Sequence, residues 1–203
     1  MVWEDTNQDH IQMEKIAIEN YLVLEDVVRD SYSGVVWSHK IQEKQSDIYS
    51  EKFERMETIN IGAASLTSVG IVAMIFTDPI WLKLISAIIS FATVYITTYF
   101  KSFDLQKLIA SHKATANKLI AVRDQYKVLL TKIRLQSDSV ENLIKRYNEL
   151  VKETDTIYSE APSTTDKAVD RASKALKIKK DNTFSDEEID SFLPNSLRRE
   201  TNG

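Results

Sequence analysis

Residues 58–77 read TINIGAASLTSVGIVAMIFT and residues 84–100 read LISAIISFATVYITTYF. Neither stretch carries a charged residue, and the short gap between them holds Asp78, Pro79 and Lys83. A helix rising 1.5 Å per residue needs roughly 20 residues to cross the hydrocarbon of a bilayer, so each stretch is close to the required length. Peptide groups have no water to bond in lipid, so an apolar stretch of this length must be helical there. The spacing therefore predicts spans over 58–77 and 80–100, joined by a turn at Asp78-Pro79. Phe76, Trp81, Tyr95, Tyr99 and Phe100 fall towards the segment ends, where aromatic belts form at the membrane interface. The competing arrangement is a hairpin buried in a soluble bundle. It would need a large apolar jacket, which the polar remainder of the chain does not supply.

Whole-chain averages hide this segregation. The 203 residues carry 26 Lys and Arg against 30 Asp and Glu, a net charge of −4, and the mean hydropathy is −0.27. That size fits one domain with a tail. Only four glycines and three prolines occur, too few for the turns of a many-stranded protein, which favours long helices. Cysteine is absent, which excludes disulfides, cysteine-ligated zinc and a thiol nucleophile. The start, Met1 to Thr6, lacks the basic and apolar features of a secretory signal. Lys40, Lys44, Lys52 and Arg55 precede the first span, and Lys101, Lys107, Lys113, Lys118 and Arg123 follow the second, whereas the turn carries Lys83. Because basic loops stay in the cytosol, both termini are expected on that side.

The flanks read as amphipathic helices. Ile11, Ile18, Tyr21, Leu22 and Val28 suggest one helix ending near Ser33-Gly34, and a second is expected from Val35 into the first span, with Ile41, Ile48, Phe53 and Met56 on its apolar side. After the second span, Leu105, His112, Leu119, Tyr126 and Ile133 recur every seven residues, with Leu108, Val122 and Leu129 between them. This heptad seam is expected to run directly out of the span. A second run, Val140, Leu143, Tyr147, Leu150 and Ile157, follows Gln136 to Ser139, where Asp138 and Glu141 suggest a helix start. These seams require helix partners, either within one molecule or in a homo-oligomer. Beyond Ala161-Pro162 comes a basic helix, Lys167 to Lys180, expected to present a solvated face. Then Ser185 and Glu188 form a capping box, and Phe184, Ile189, Phe192 and Leu193 make an apolar knob. Docking of that knob on the protein's own bundle is the favoured expectation, and a partner-binding motif is the alternative.

The expected fold is therefore all-α, a two-helix transmembrane hairpin with long cytosolic amphipathic or coiled-coil helices on both sides. Residues 1–57 form N-terminal helices, 58–100 the hairpin, 101–160 the heptad helices, and 161–203 the basic helix and tail. Gly34, Gly62, Gly70 and Gly203 build neither a P-loop nor a dinucleotide fingerprint, and His10, His39 and His112 lack metal-ligand spacing. No cofactor, metal or catalytic set is expected, and the chain does not read as an enzyme. The spans hold no ionisable side chain of the kind that drives proton-coupled transport. They do hold a polar stripe of Ser86, Ser90, Thr93 and Thr97, and a looser one containing Asn60 and Thr67. Close helix packing is the first explanation for such small polar residues, and pore lining by several subunits is the second. His112, Leu105, Leu119 and Tyr126 are the candidates for a stalk that gates the spans, with His112 read as a core or register-setting residue before a pH-sensitive one.

Several short stretches resemble a known family. Val35-Val36-Trp37-Ser38-His39-Lys40, Gln42-Glu43-Lys44, Leu66-Thr67, Gly70-Ile71, Trp81-Leu82-Lys83 and Lys101-Ser102-Phe103-Asp104-Leu105 look like the SLATT family, the two-transmembrane effector domains that associate with SMODS and SLOG proteins. His112-Lys113, Ile157-Tyr158, Ala161-Pro162 and the segment Phe184 to Pro194 extend the likeness over residues 30–197. The resemblance implies an effector in the bacterial inner membrane that permeabilises the bilayer during phage infection. It further implies a sensor partner, either a cyclic-nucleotide synthase or a retron reverse transcriptase complex, and a nucleotide signal. It offers no catalytic residues to carry over.

Overall fold

The computed structural model describes residues 2–76, 80–181 and 183–198. The described residues form six α-helices and one 3₁₀ turn, with no strand: α1 Val2–Phe76, α2 Ile80–Phe103, α3 Leu105–Arg134, α4 Val140–Glu160, α5 Asp166–Lys177 and α6 Asp186–Phe192. At 1.5 Å per residue α1 is about 110 Å long and runs through both halves of the molecule. The all-helical class is as expected, whereas the break at Ser33-Gly34 is not. The Ser33 hydroxyl donates to the Arg29 carbonyl one turn back at 2.9 Å, and the next residue but one, Val35, is buried in the core. Tertiary packing on both sides of Gly34 outweighs the roughly 1 kcal/mol that glycine costs a helix.

Two helices and a cover make the bundle. The first half of α1 packs along α3, and α4 folds back over both. Leu24, Val28 and Val35 of α1 meet Leu119, Val122, Tyr126, Leu129 and Ile133 of α3, and Leu143, Leu150 and Ile157 of α4 close the core. The heptad reading of α3 and α4 therefore matches the buried faces. The reading of α1 matches only in part: Val28 is buried and Tyr21 packs against the core. Ile18 and Leu22 are 44% and 57% exposed, while Leu24 is buried instead, and Ile41 and Ile48 are half-buried beside the buried Gln42 and Gln45. The side chain of Ile11 lies outside what is described.

The start of α4 also differs by one residue. Ser139 is the N-cap, accepting from the Asn142 amide, and Asp138 holds the Ser139 amide at 2.8 Å. Ser is a strong cap at this position because its oxygen satisfies a donor the helix leaves free. Residues 58–76 of α1 and α2 pack antiparallel: the Lys52 ammonium reaches the Tyr99 hydroxyl at one end, and Gly70 lies against Ser86 at the other. The expected Asp78-Pro79 turn lies outside the described residues. Among them one helix is long and apolar enough to cross a membrane, Ile80–Tyr99, with mean hydropathy 1.8 and none of it buried.

Candidate functional site

Two features combine where the bundle meets the apolar helices. The first is the arrangement of the α1–α2 pair. Phe53, Met56, Asn60, Ala63, Thr67 and Gly70 form the half-buried face of α1, and Leu82, Ser86, Ile89, Thr93, Ile96 and Tyr99 form that of α2. Spacings of three and four put each set on one helix face. The outward face is apolar: Ile59, Ile61, Leu66, Val69, Ile88, Phe91 and Val94 are all more than half exposed. Asn60, Ala63, Thr67 and Gly70 of α1 and Ser86 and Thr93 of α2 thus lie inside while large apolar residues lie outside, the inverse of a soluble protein, and small residues are what let helices approach closely in lipid. A Cβ placed on Gly70 would sit 3.0 Å from the Ser86 Oγ, so any larger residue there must push that hydroxyl aside.

The hydroxyl stripe is divided. Ser86 and Thr93 face α1, while Ser90 and Thr97 are exposed. Most hydroxyls in the pair are bonded within their own helix: Ser65 to Ile61, Thr67 to Ala63, Ser68 to Ala64, Thr93 to Ile89, Thr97 to Thr93 and Thr98 to Val94, at 2.8 to 3.0 Å. Donating to the carbonyl one turn back removes the need for water at these groups. The Asn60 Oδ1 is different, being buried without a hydrogen-bond partner.

The second feature is a polar collar that replaces the apolar core along Trp37 to Glu51. His39, Lys40, Gln42, Gln45 and Ser46 of α1 are buried, as are His112 and Thr115 of α3. Gln42 joins three elements: its Oε1 accepts from His112 Nδ1 at 2.5 Å, and its Nε2 donates to the Pro162 carbonyl at 3.2 Å. Because Gln42 spends its donor on Pro162, its oxygen must accept, which fixes the proton of neutral His112 on Nδ1. Gln45, wholly buried, accepts from both the Thr165 amide and its hydroxyl at 2.8 Å. Thr165 is the N-cap of α5 and caps nothing with its own side chain, so α1 supplies the cap.

The rest of α5 is held the same way. Ala168, Ala172 and Ala175 pack flat onto the bundle, Arg171 forms a two-pronged pair with Glu51 at 2.6 and 2.9 Å, and Lys177 lies 5.7 Å over the Trp37 ring. The basic helix is thus a strap with an alanine underside: its lysines are exposed to solvent as expected, Lys177 among them, while Arg171 is engaged by Glu51. Buried Lys40 bonds Glu43 at 2.9 Å and reaches Asp181 at 3.6 Å.

Both collar histidines are kept neutral. Burial pushes His112 below the ordinary imidazole value, and its Nε2 has no partner, so a second proton would be a buried donor with nothing to bond. Burial likewise lowers His39, with Lys40 and Arg123 adding to the effect and Glu43 opposing it. Burial pushes Glu43 up, but the hydrogen bonds from Lys40 and Lys44 outweigh it and the carboxyl stays below its usual range.

Among the sequence candidates, His112, Leu105, Leu119 and Tyr126 come together in the buried seam of α3. Asn60, Thr67, Ser86 and Thr93 meet between α1 and α2. The tail candidates do not join either group. Phe184 and Phe192 are 65% and 77% exposed, their rings lie edge to face at 6.4 Å, and Ile189 is exposed too, with Leu193 half-buried. The capping box of Ser185 and Glu188 forms, but no residue of α6 is buried, so the favoured docking of the knob on its own bundle is not what the fold adopts.

Sequence reasoning missed Gln42 and Gln45, whose partners lie about 120 residues away. It also missed Asp104. The heptad seam does not run directly out of α2: Asp104 takes the left-handed conformation (φ 40°, ψ 55°), ends one helix and caps the next by accepting from the Lys107 amide at 3.2 Å. Aspartate tolerates that conformation better than most residues, so this single residue is a bent joint between α2 and the collar. The signal available was an Asp at cap spacing from Lys107.

Neither a curated protein nor a solved structure matches the chain. Residues 24–188 match the family described as SMODS and SLOG-associating 2TM effector domain family 4, a match that takes in α2 to α5 and most of α1. The inverted helix pair and the helical bundle beneath it are thus those of an effector domain, and the chain belongs to this SLATT family.

Proposed function

We propose that the chain is a membrane-permeabilising effector of a bacterial anti-phage system, gated through its cytosolic bundle by a partner sensor or a nucleotide-derived signal. The observation that carries this reading is the inverted α1–α2 pair, whose large outward apolar side chains are left exposed by the described residues. The pair is a two-span hairpin in the inner membrane, and both termini lie in the cytosol with the bundle. One hairpin cannot enclose water, so conduction requires several copies, with the exposed Ser90 and Thr97 faces turned together. A signal acting on the bundle reaches the spans along continuous α1 and across the Asp104 joint, and shifts them between a dry packed state and a wet one. No catalytic step enters this account. The sensor is a cyclic-nucleotide synthase or a retron reverse transcriptase complex.

The test is to induce the protein with and without its neighbouring sensor and to follow dye entry and membrane potential. Permeabilisation only in the activated cells is expected, and intact membranes under activation would overturn the reading. A second reading is a non-conducting scaffold whose hairpin only anchors the bundle. The observation favouring it is that Thr93 and Thr97 spend their hydroxyls on their own helix. Replacing Ser86, Ser90, Thr93 and Thr97 with Ala or Val separates the two, because a scaffold tolerates the change and a pore loses conduction.

A further inference from the structure

The C-terminal knob and a groove at the opposite end of the bundle from the spans are complementary in shape and charge. The groove, about 750 Å³, runs between α1 and α3 and is lined by Tyr32, Leu130 and Leu135, with Arg29, Lys127 and Arg134 at its rim. Arg134 is paired with Glu25, but among the described residues no carboxylate pairs with Arg29 or Lys127. The apolar lining continues along α1, where the exposed Ile18 and Leu22 share the face of Arg29. Across the bundle, α4 covers the other side of α1 and α3, whereas this side is an open groove among the described residues.

The knob has the opposite character. Phe184, Ile189, Phe192 and Leu197 are exposed around a helix that carries Asp186, Glu187, Glu188 and Asp190. The segment is already folded: its capping box is closed and Arg198 donates to the Leu193 carbonyl at 2.9 Å. Preformed segments have less entropy to lose on binding. α6 spans about 10 Å and the stretch from Lys127 to Leu135, at the end of α3 and its cap, about 12 Å, so one fits along the other.

We propose that residues 183–198 of one chain seat in the α1–α3 groove of a second copy, with Phe184 and Phe192 against Leu130 and Tyr32 and the acidic helix between Arg29 and Lys127. The donor is a second copy rather than the same chain, because within one chain the knob stays exposed and, among the described residues, the groove stays open. Such a contact is head to tail: each copy offers a tail and receives one, so the association repeats from copy to copy. The proposal rests on the reading that copies assemble, but not on their conducting.

The absence of cysteine makes the test direct. Two full-length variants, Leu130→Cys and Phe192→Cys, are co-expressed with different tags, extracted in mild detergent and oxidised. Both substitutions are at the surface or its edge, and helix content measured by circular dichroism confirms that each variant is folded. A disulfide joining the two tags is the expected result. In the doubly substituted chain, a ladder of linked copies is expected, and a cross-link confined within single chains would overturn the proposal, as would no cross-link at all. Arg29→Glu with Lys127→Glu should lower the yield of linked copies about tenfold or more, and Glu187→Lys with Asp190→Lys in the tail should restore it. Dye entry measured on the same variants separates the two claims. Linked copies without permeabilisation would count against the pore alone, and permeabilisation without linked copies would count against the docking alone.

Discussion

α1 passes through two regions that obey opposite rules. Along the bundle it hides Leu24, Val28 and Val35 and turns Asp26, Arg29 and Asp30 outward; beyond residue 57 it turns Ile59, Ile61, Leu66 and Val69 outward and keeps Asn60, Ala63, Thr67 and Gly70 inside. A helix buries whatever its surroundings tolerate least. In water those groups are apolar, and in hydrocarbon there is no such penalty, so close approach of backbones decides instead. On the proposed reading, the change of rule within one unbroken helix is a change of solvent from water to lipid. The collar lies just before that change, where the chain stops burying aliphatic groups and buries an interlocked set of polar ones.

The sharpest way to break this comparison is to remove the same kind of side chain from each region. Leu119→Ala empties a fully buried site in the bundle and should cost about 2 to 5 kcal/mol, whereas Ile88→Ala on the outer face of α2 should leave the detergent-solubilised protein within about 0.5 kcal/mol. Thermal unfolding monitored by circular dichroism compares the two. Equal losses would mean that the outer face of α2 is packed against protein.

Next in size is Gly70→Val. It forces a side chain into the space of the Ser86 Oγ and should cost about 1 to 3 kcal/mol by prising α2 from α1, while Gly34→Val, with nothing near its Cβ position, should not perturb packing. Cysteines engineered across α1 and α2 report the separation as a fall in cross-linking. At the joint, Asp104→Val combines a strained left-handed backbone with a lost cap and should cost about 1 to 3 kcal/mol, whereas Asp104→Gly should recover most of the loss. Glycine no better than valine there would remove the argument for a bent joint.

How much of this was legible beforehand follows from the range of the interactions. The seam of α3 could be read because a repeat of seven is local and both sides of it are apolar; Leu119, Tyr126 and Ile133 are buried as their spacing required. The capping box at Ser185 and Glu188 is local too. The buried face of α1 was read only in part: Val28 is buried as its spacing suggested, but Ile18 and Leu22 make as good a stripe as Leu24, and only the position of α3 decides between them. The collar was illegible for a different reason. Gln42 and Gln45 look like solvated helix residues until the chain returns at Pro162 and Thr165 to bond them.

The smallest effect concerns pH. Burial lowers His39 and His112 in the folded chain, whereas an unfolded histidine takes its proton near pH 6.5. The stability that depends on neutral collar histidines is therefore complete above about pH 6.5 and is lost as the pH falls below it. His112→Gln should flatten part of that dependence. A stability that rises on acidification through this range would contradict the collar as described. The apolar pair has no group that titrates there, so cross-linking between α1 and α2 should stay constant over the same interval.

The claim on which the rest depends is that lipid surrounds α2 and the end of α1. Alkaline carbonate extraction of membranes from cells expressing the chain tests it most directly. The account predicts that the protein remains in the membrane pellet and leaves it only in detergent; release into the carbonate supernatant, or a monodisperse protein in plain buffer, would contradict it.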